Sequence, residues 1–240
     1  MTAAALDTPG WYGKLPTLGD FASRRLPPSF IEAWDAWLAR GLARLREQQP
    51  EAWLDAYLSS PAWRFVLHAG ACGPAQTQAL AGVLMPSVDR VGRYFPLTIA
   101  APLPHAPATS SEIEGLLNWL HQLDDLAADA LHDDWTLEQL EDELARLNRL
   151  SWQAPLDAPP SLSAHHAAAL DALNSVRGGQ ASHTLLPHAT RGDLGGMLAS
   201  GPAPGLSLWL AEPADGDARC VVAQGLPEGS GFALLFNPQP

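Results

Sequence analysis

The segment Ser87-Val-Asp-Arg-Val-Gly-Arg93 sets a hydroxyl, a carboxylate and two guanidiniums in one short stretch. Arg90 and Arg93 so close together can grip a carboxylate or a phosphate through paired hydrogen bonds. The same residues allow a structural role, with Asp89 pairing to Arg90 or Arg93 and fixing the loop. The two roles are compatible. A second stretch, Gly10-Trp-Tyr-Gly-Lys-Leu-Pro-Thr-Leu-Gly-Asp-Phe21, holds Lys14, the single lysine among 14 cationic side chains. Lysine offers a compact point charge where arginine offers a planar fork. Asp20 follows Gly19 at a turn. It can pair with Lys14, Arg24 or Arg25, or accept a local backbone hydrogen bond.

Signals for an enzyme are weak. Ser87 is not in a G-x-S-x-G turn, and neither His68 nor His105 has an evident partner. No Gly-rich phosphate motif occurs. His165-His166, His183 and His188 lack the spacing of a helical zinc site and read as solvated or capping residues. Arg191-Gly-Asp193 reads as a chance tripeptide. Cys72 and Cys220 form neither a disulfide framework nor a zinc spacing, which fits a reducing compartment. No metal, cofactor or catalytic residue is expected.

These loops need a scaffold. The 240 residues suffice for a sizeable core, and the 22 prolines cluster at segment ends as punctuation. Strands are expected at Trp11–Leu15, Trp63–Leu67, Ala79–Met85, Tyr94–Ala101, Leu206–Leu210 and Arg219–Ala223. Pro96 marks its end of a strand as an edge or a bulge. Pro213-Ala-Asp-Gly-Asp217 suggests a hairpin turn. Ser29 with Glu32, Ser111 with Glu114 and Thr136 with Gln139 match the capping-box spacing and start helices. The first helix carries Phe30, Trp34, Trp37, Leu38, Leu42 and Leu45 on one stripe. A short helix over 51–59 groups Trp53, Leu54, Tyr57 and Leu58, and another is expected near 163–174. Phe232–Phe236 reads as a strand or a last helical turn. Trp11, Trp34, Trp37, Trp53 and Trp63 read as core rather than as a ligand cage. No repeat of 20–50 residues is visible. Strands flanked by helices predict an α/β fold with helices on the faces of a sheet.

The net charge of −12 is unevenly spread. Residues 1–105 carry +1, and residues 106–240 carry −13. From 112 to 143 there are 11 acidic residues and no lysine or arginine. Leu117 and Leu140 lie on the buried stripes of this helical pair, and its outer face is expected to be acidic and exposed. Such a balance argues against nucleic acid and anionic membranes as partners. The N-terminal part is where an acidic partner or a phosphate can dock. No apolar run suggests membrane insertion, and Met1–Asp7 does not read as a signal peptide, so a cytoplasmic protein is expected.

The two opening segments resemble the TagF/ImpM family of type VI secretion accessory proteins. The resemblance rests on Gly10–Pro16 with Gly19-Asp-Phe21, Trp34-Asp-Ala-Trp-Leu38, Glu51–Tyr57, Pro61-Ala-Trp-Arg-Phe65 and Gly82–Leu97. Ser207-Leu-Trp209 and Gly225-Leu-Pro227 match more weakly, and residues 105–200 match poorly. The resemblance implies one α/β domain over 1–240: a three-layer α/β/α sandwich with a mixed, largely antiparallel sheet. Its parts are a motif-rich core 10–104, an acidic helical segment 110–150, and a loop-rich segment with C-terminal strands 151–240. It further implies a bacterial, non-enzymatic, mostly negative post-translational regulator of secretion. Its expected partners are a forkhead-associated (FHA) scaffold protein and the pathway's Ser/Thr kinase and phosphatase. Lys14, Asp20, Arg24, Arg64, Ser87, Asp89, Arg90 and Arg93 are the expected partner-binding or motif-loop residues. The alternative is a phosphate or small-molecule sensor, or an unrecognised hydrolase, using Ser87–Arg93. Segments 10–24, 61–67 and 82–97 are expected to meet in space.

Overall fold

The computed structural model of the protein describes residues 8–147, 164–213 and 216–236. Expectations for Met1–Asp7, for the proline-rich 151–163, for Ala214 and Asp215 in the hairpin turn, and for the side chains of His165 and His166 lie outside the described residues.

Eight strands form one sheet: β1 (Gly10–Gly13), β2 (Ala22–Arg24), β3 (Trp63–Leu67), β4 (Leu80–Met85), β5 (Leu97–Pro102), β6 (His183–Pro187), β7 (Leu206–Ala211) and β8 (Arg219–Gln224). Their order is β2-β1-β5-β4-β3-β7-β8-β6. Every neighbouring pair is antiparallel, so the expectation of a mixed sheet gives way. Parallel neighbours need a long crossover. Here β4 is tied directly to β3 and β5, and β7 directly to β8. Pro96 precedes β5, an interior strand, so it marks a strand start rather than an edge.

The helices are α1 (Pro28–Gln48), α2 (Trp53–Leu58), α3 (Ser110–His132), α4 (Leu137–Arg146), α5 (Ala164–Arg177), α6 (Arg191–Ala199) and α7 (Ser230–Phe236). The Ser29–Glu32 capping box does not form. Pro28 opens α1 with no side-chain cap. Proline suits the first helical position because the N–H it lacks has no helical partner there. The box of α3 is Thr109 with Glu112, two residues before the expected pair. Thr136 and Gln139 cap α4 as the spacing predicts.

Side chains alternate across the sheet between two apolar clusters. One gathers Val66, Val83, Ile99, Leu208 and Val222 with residues of α3, α4, α5 and α6. The other gathers Phe65, Leu84, Ala100, Trp209 and Val221 with residues of α1, α2 and α7. Trp34, fully buried, sits against Phe30, Trp37, Phe65 and Trp209 with ring centroids 4.8–6.0 Å away. Its indole N–H donates to Thr98 Oγ1 at 2.8 Å. Phe232–Phe236 is helical, with Phe232 and Phe236 buried under α1 and α2. In α2, Leu58 does not join the core and is 53% exposed.

Leu117 and Leu140 are buried in the first cluster. Leu117→Ala or Leu140→Ala is expected to cost about 2–5 kcal/mol by the lost transfer energy and the cavity left behind. Urea denaturation checks this; unchanged midpoints would remove both stripes from the core. The acidic face is mostly exposed, as at Glu114, Asp125, Asp129, Glu138 and Asp142. Two carboxylates depart from that expectation and turn inward. Asp124 accepts from Arg64 at 2.9 Å, and Glu141 accepts from Arg25 at 2.5 Å and from the Trp11 indole at 2.6 Å.

Candidate functional site

Strand β1 ends at Gly13, whose φ of +135° favours glycine. A Cβ there would lie 2.1 Å from the Pro96 carbonyl oxygen. That close approach aims Lys14 inward, where it is only 2% exposed. Its Nζ donates to Asp89 Oδ2 at 2.6 Å. Arg93 Nε donates to the same oxygen at 2.7 Å. Asp89 Oδ1 accepts the backbone N–H groups of Val91 at 3.0 Å and Arg93 at 2.8 Å. Burial acts to raise the Asp89 carboxyl, but the bonds from Lys14, Arg93 and Val91 outweigh it and hold the group well below the usual carboxylate range. One buried carboxylate therefore ties two loops together.

The neighbouring bonds tighten this knot. Arg93 also donates to the Gly19 carbonyl, and its guanidinium stands 3.8 Å from Asp20. The Arg90 N–H donates to the Leu18 carbonyl at 3.1 Å. Ser87 Oγ donates to the Lys14 carbonyl at 2.8 Å. The buried Tyr57 hydroxyl donates to the Ser87 carbonyl at 2.8 Å and accepts its N–H at 2.9 Å. Phe21 lies beside the knot, its ring centroid 4.8 Å from Lys14 Nζ. It stacks on Tyr12 and meets Phe95 edge-on, yet is 43% exposed.

Of the residues singled out in the sequence, Lys14, Asp20, Ser87, Asp89, Arg90 and Arg93 are brought together. Arg24 lies exposed on β2, its guanidinium donating to the Ser23 carbonyl. Segment 61–67 joins 82–97 through β3–β4 pairing, Trp63 opposite Leu84. Its Arg64, however, is buried in a separate network with Asp124 and Glu212. Nothing in the spacing of Tyr57 and Phe21 assigns either a place in the knot. Both sit in the family-like stretches, which is the one signal that pointed to them.

Grooves exist elsewhere. One of about 730 Å³ lies between the start of α1 and residues 72–80, with Leu26, Phe30, Cys72 and Gln76 among its walls. Another of about 600 Å³ includes Trp37, Arg40, His183 and Glu228. Neither is lined by Lys14, Ser87, Asp89, Arg90 or Arg93. Burial pushes the Cys72 thiol up to about 11, away from a reactive thiolate. His68 is buried and accepts the Ala203 N–H at 3.3 Å. Burial first, then the charge of Arg177, lowers its pKa to about 4. Among the described residues no helix is long and apolar enough to cross a membrane.

Fold and site together define an α/β protein on one antiparallel sheet, with two distant loops knotted around a buried carboxylate. The family described as TagF N-terminal domain, Type VI secretion system-associated, matches residues 10–147. The chain belongs to this TagF family. The crystal structure of PA0076 from Pseudomonas aeruginosa PAO1 is similar, with 32% sequence identity and a TM-score of 0.66 over 97% of this chain and 95% of that one. No curated protein matches the chain.

Proposed function

We propose that this chain is a non-enzymatic, cytoplasmic regulator of type VI secretion that acts after translation, mostly as a repressor. It would do so by binding a protein of the pathway's kinase, phosphatase and forkhead-associated scaffold, with the FHA scaffold as the first partner to test. One observation supports this most: the two family-like loops, far apart in sequence, are locked together by Asp89 and leave Arg90 and Arg93 at the surface. A single three-layer α/β/α domain fits the same reading, supported by the alternation of strand side chains between two helix-covered clusters. Ser87 is an unfavourable nucleophile, because its hydroxyl and both its backbone groups are committed to Lys14 and Tyr57.

Deleting the gene is expected to raise type VI secretion where it is otherwise repressed, and overexpression to lower it. Secreted tube protein in culture supernatants measures both. Unchanged secretion in both directions would end the repressor reading.

A further inference from the structure

We propose that the turn Asp89–Arg93 is a preformed plug. Its tip, carrying Val91 and Arg90, enters an apolar depression rimmed by carboxylates on a partner protein. This deepens the reading of the motif loops as a partner surface and rests on it.

The backbone of the turn decides what kind of ligand it can take. Gly92 N–H donates to the Asp89 carbonyl at 2.9 Å, and Asp89 N–H to the Arg93 carbonyl at 3.0 Å. Arg90 N–H goes to Leu18, while those of Val91 and Arg93 go to the Asp89 carboxylate. Every N–H from 89 to 93 is therefore already used. A phosphate-cradling loop works the opposite way, presenting several free N–H groups to the anion. Lys14 is also unavailable, since it is buried on Asp89. Recognition is left to side chains alone.

Those side chains have a definite character. Val91 is 63% exposed, the most exposed large apolar residue among the described residues. Arg90 is exposed, and its guanidinium has no ion pair or side-chain hydrogen bond among the described residues. A Cβ on Gly92 would meet nothing within 4 Å, so space is open at that point of the turn, while the Arg90 guanidinium lies near Gly19. Phe21 lies beside the knot that holds the turn. The tip presents an exposed apolar side chain in Val91 and an exposed cation in Arg90. An acidic-rimmed apolar hollow complements it. The net charge of −12 disfavours nucleic acid as the occupant. Because Asp89 holds the turn before contact, little ordering remains at binding, and a small tip can act as an anchor.

The test uses the purified full chain and the FHA scaffold protein of the same secretion system, with Kd measured calorimetrically. Val91→Asp and Arg90→Glu are each expected to weaken binding at least about thirtyfold, the scale of an interface hot spot. Melting temperatures should be unchanged, and Arg44→Glu on the exposed side of α1 should bind as the parent does. Normal binding by both tip variants overturns the plug. If the parent chain does not bind this scaffold, that choice of partner fails, and the same variants are then read in cells. Loss of repression with normal protein levels supports the plug, and full repression overturns it. Two further results also overturn it. One is saturable binding of inorganic phosphate that shifts the amide signals of 89–93. The other is self-association that Arg90→Glu abolishes, which would make the occupant a second copy of this chain.

Discussion

Trp34→Ala is expected to lower the unfolding free energy by about 3–5 kcal/mol. Trp34 has no exposed surface and touches four other aromatic rings. Truncation removes those contacts together and leaves a hole between α1 and the sheet. It also strips the buried Thr98 hydroxyl of its indole donor, and an unmet buried polar group adds its own penalty. The layer has little freedom to collapse into the hole, because Trp37, Trp63 and Trp209 are each pinned by an indole hydrogen bond. Equilibrium denaturation in urea measures the loss. A change below about 1 kcal/mol would mean that the aromatic layer repacks freely.

The second large effect is expected at Asp89. Asp89→Asn leaves the Lys14 ammonium in a 2%-exposed site without the one carboxylate it contacts among the described residues. Lys14→Met removes the other half of the pair. The remaining carboxylate would keep Arg93 and two backbone donors. The melting temperature should therefore fall in the order parent, Lys14→Met, Asp89→Asn. Acid should act through the same group. The Asp89 carboxyl is depressed in the folded protein, so its contribution is fully present above the unfolded value near about 4. It is lost progressively as pH falls below that value toward the depressed folded one. The gap between parent and Asp89→Asn should thus be constant from pH 7 to 5 and narrow below pH 4. A gap that widens toward low pH would contradict the assignment.

Much of the scaffold was legible because periodicity is a direct consequence of burial. Trp63–Leu67 emerges with the expected bounds, and Leu206–Leu210 extends by one residue. The Leu stripes of α3 and α4 face the core as their spacing says. Elements without a pattern escaped. Strand β2 has three residues, β6 ends in a proline, and α6 contains three glycines. The start of α6 is nevertheless marked by Thr190 and Asp193, a reciprocal cap with aspartate in place of the usual glutamate. Phe232–Phe236 is too short for periodicity to decide; it is helical and packs so closely on α1 that a Cβ on Gly41 would strike the Phe232 ring.

The site was legible in kind and only partly in its connections. The lone lysine, which composition singles out, is buried on Asp89 rather than left at the surface. The expected pairing of Asp89 with Arg90 or Arg93 forms with Arg93. Asp20, open in the sequence to Lys14, Arg24, Arg25 or a local backbone donor, accepts the Phe21 N–H. The pair that local spacing does not reveal, Lys14 with Asp89, spans 75 positions. Only the adjacency of β1, β5 and β4 brings those positions together, and no local spacing records it. Arg64 is expected with the motif-loop residues because it lies in the family-like stretch Pro61-Ala-Trp-Arg-Phe65. Side-chain alternation sends it to Asp124 instead.

The strand order also shapes how the chain is made. Strands β2, β1, β5, β4 and β3 are all synthesised before β7, so a ribosome delivers five contiguous strands with one border unfinished. That border is Trp63–Leu67, a strand buried along its whole length in the finished protein. Until Leu206–Ala211 emerges, its backbone donors and acceptors on that side are open, and Arg64 lacks Glu212. Open strand borders recruit other strands, including those of neighbouring nascent chains. A fragment ending at residue 147, where the family match stops, would keep this sticky border for life. The stretch that best identifies the family is therefore a poor stand-in for the whole chain at the bench.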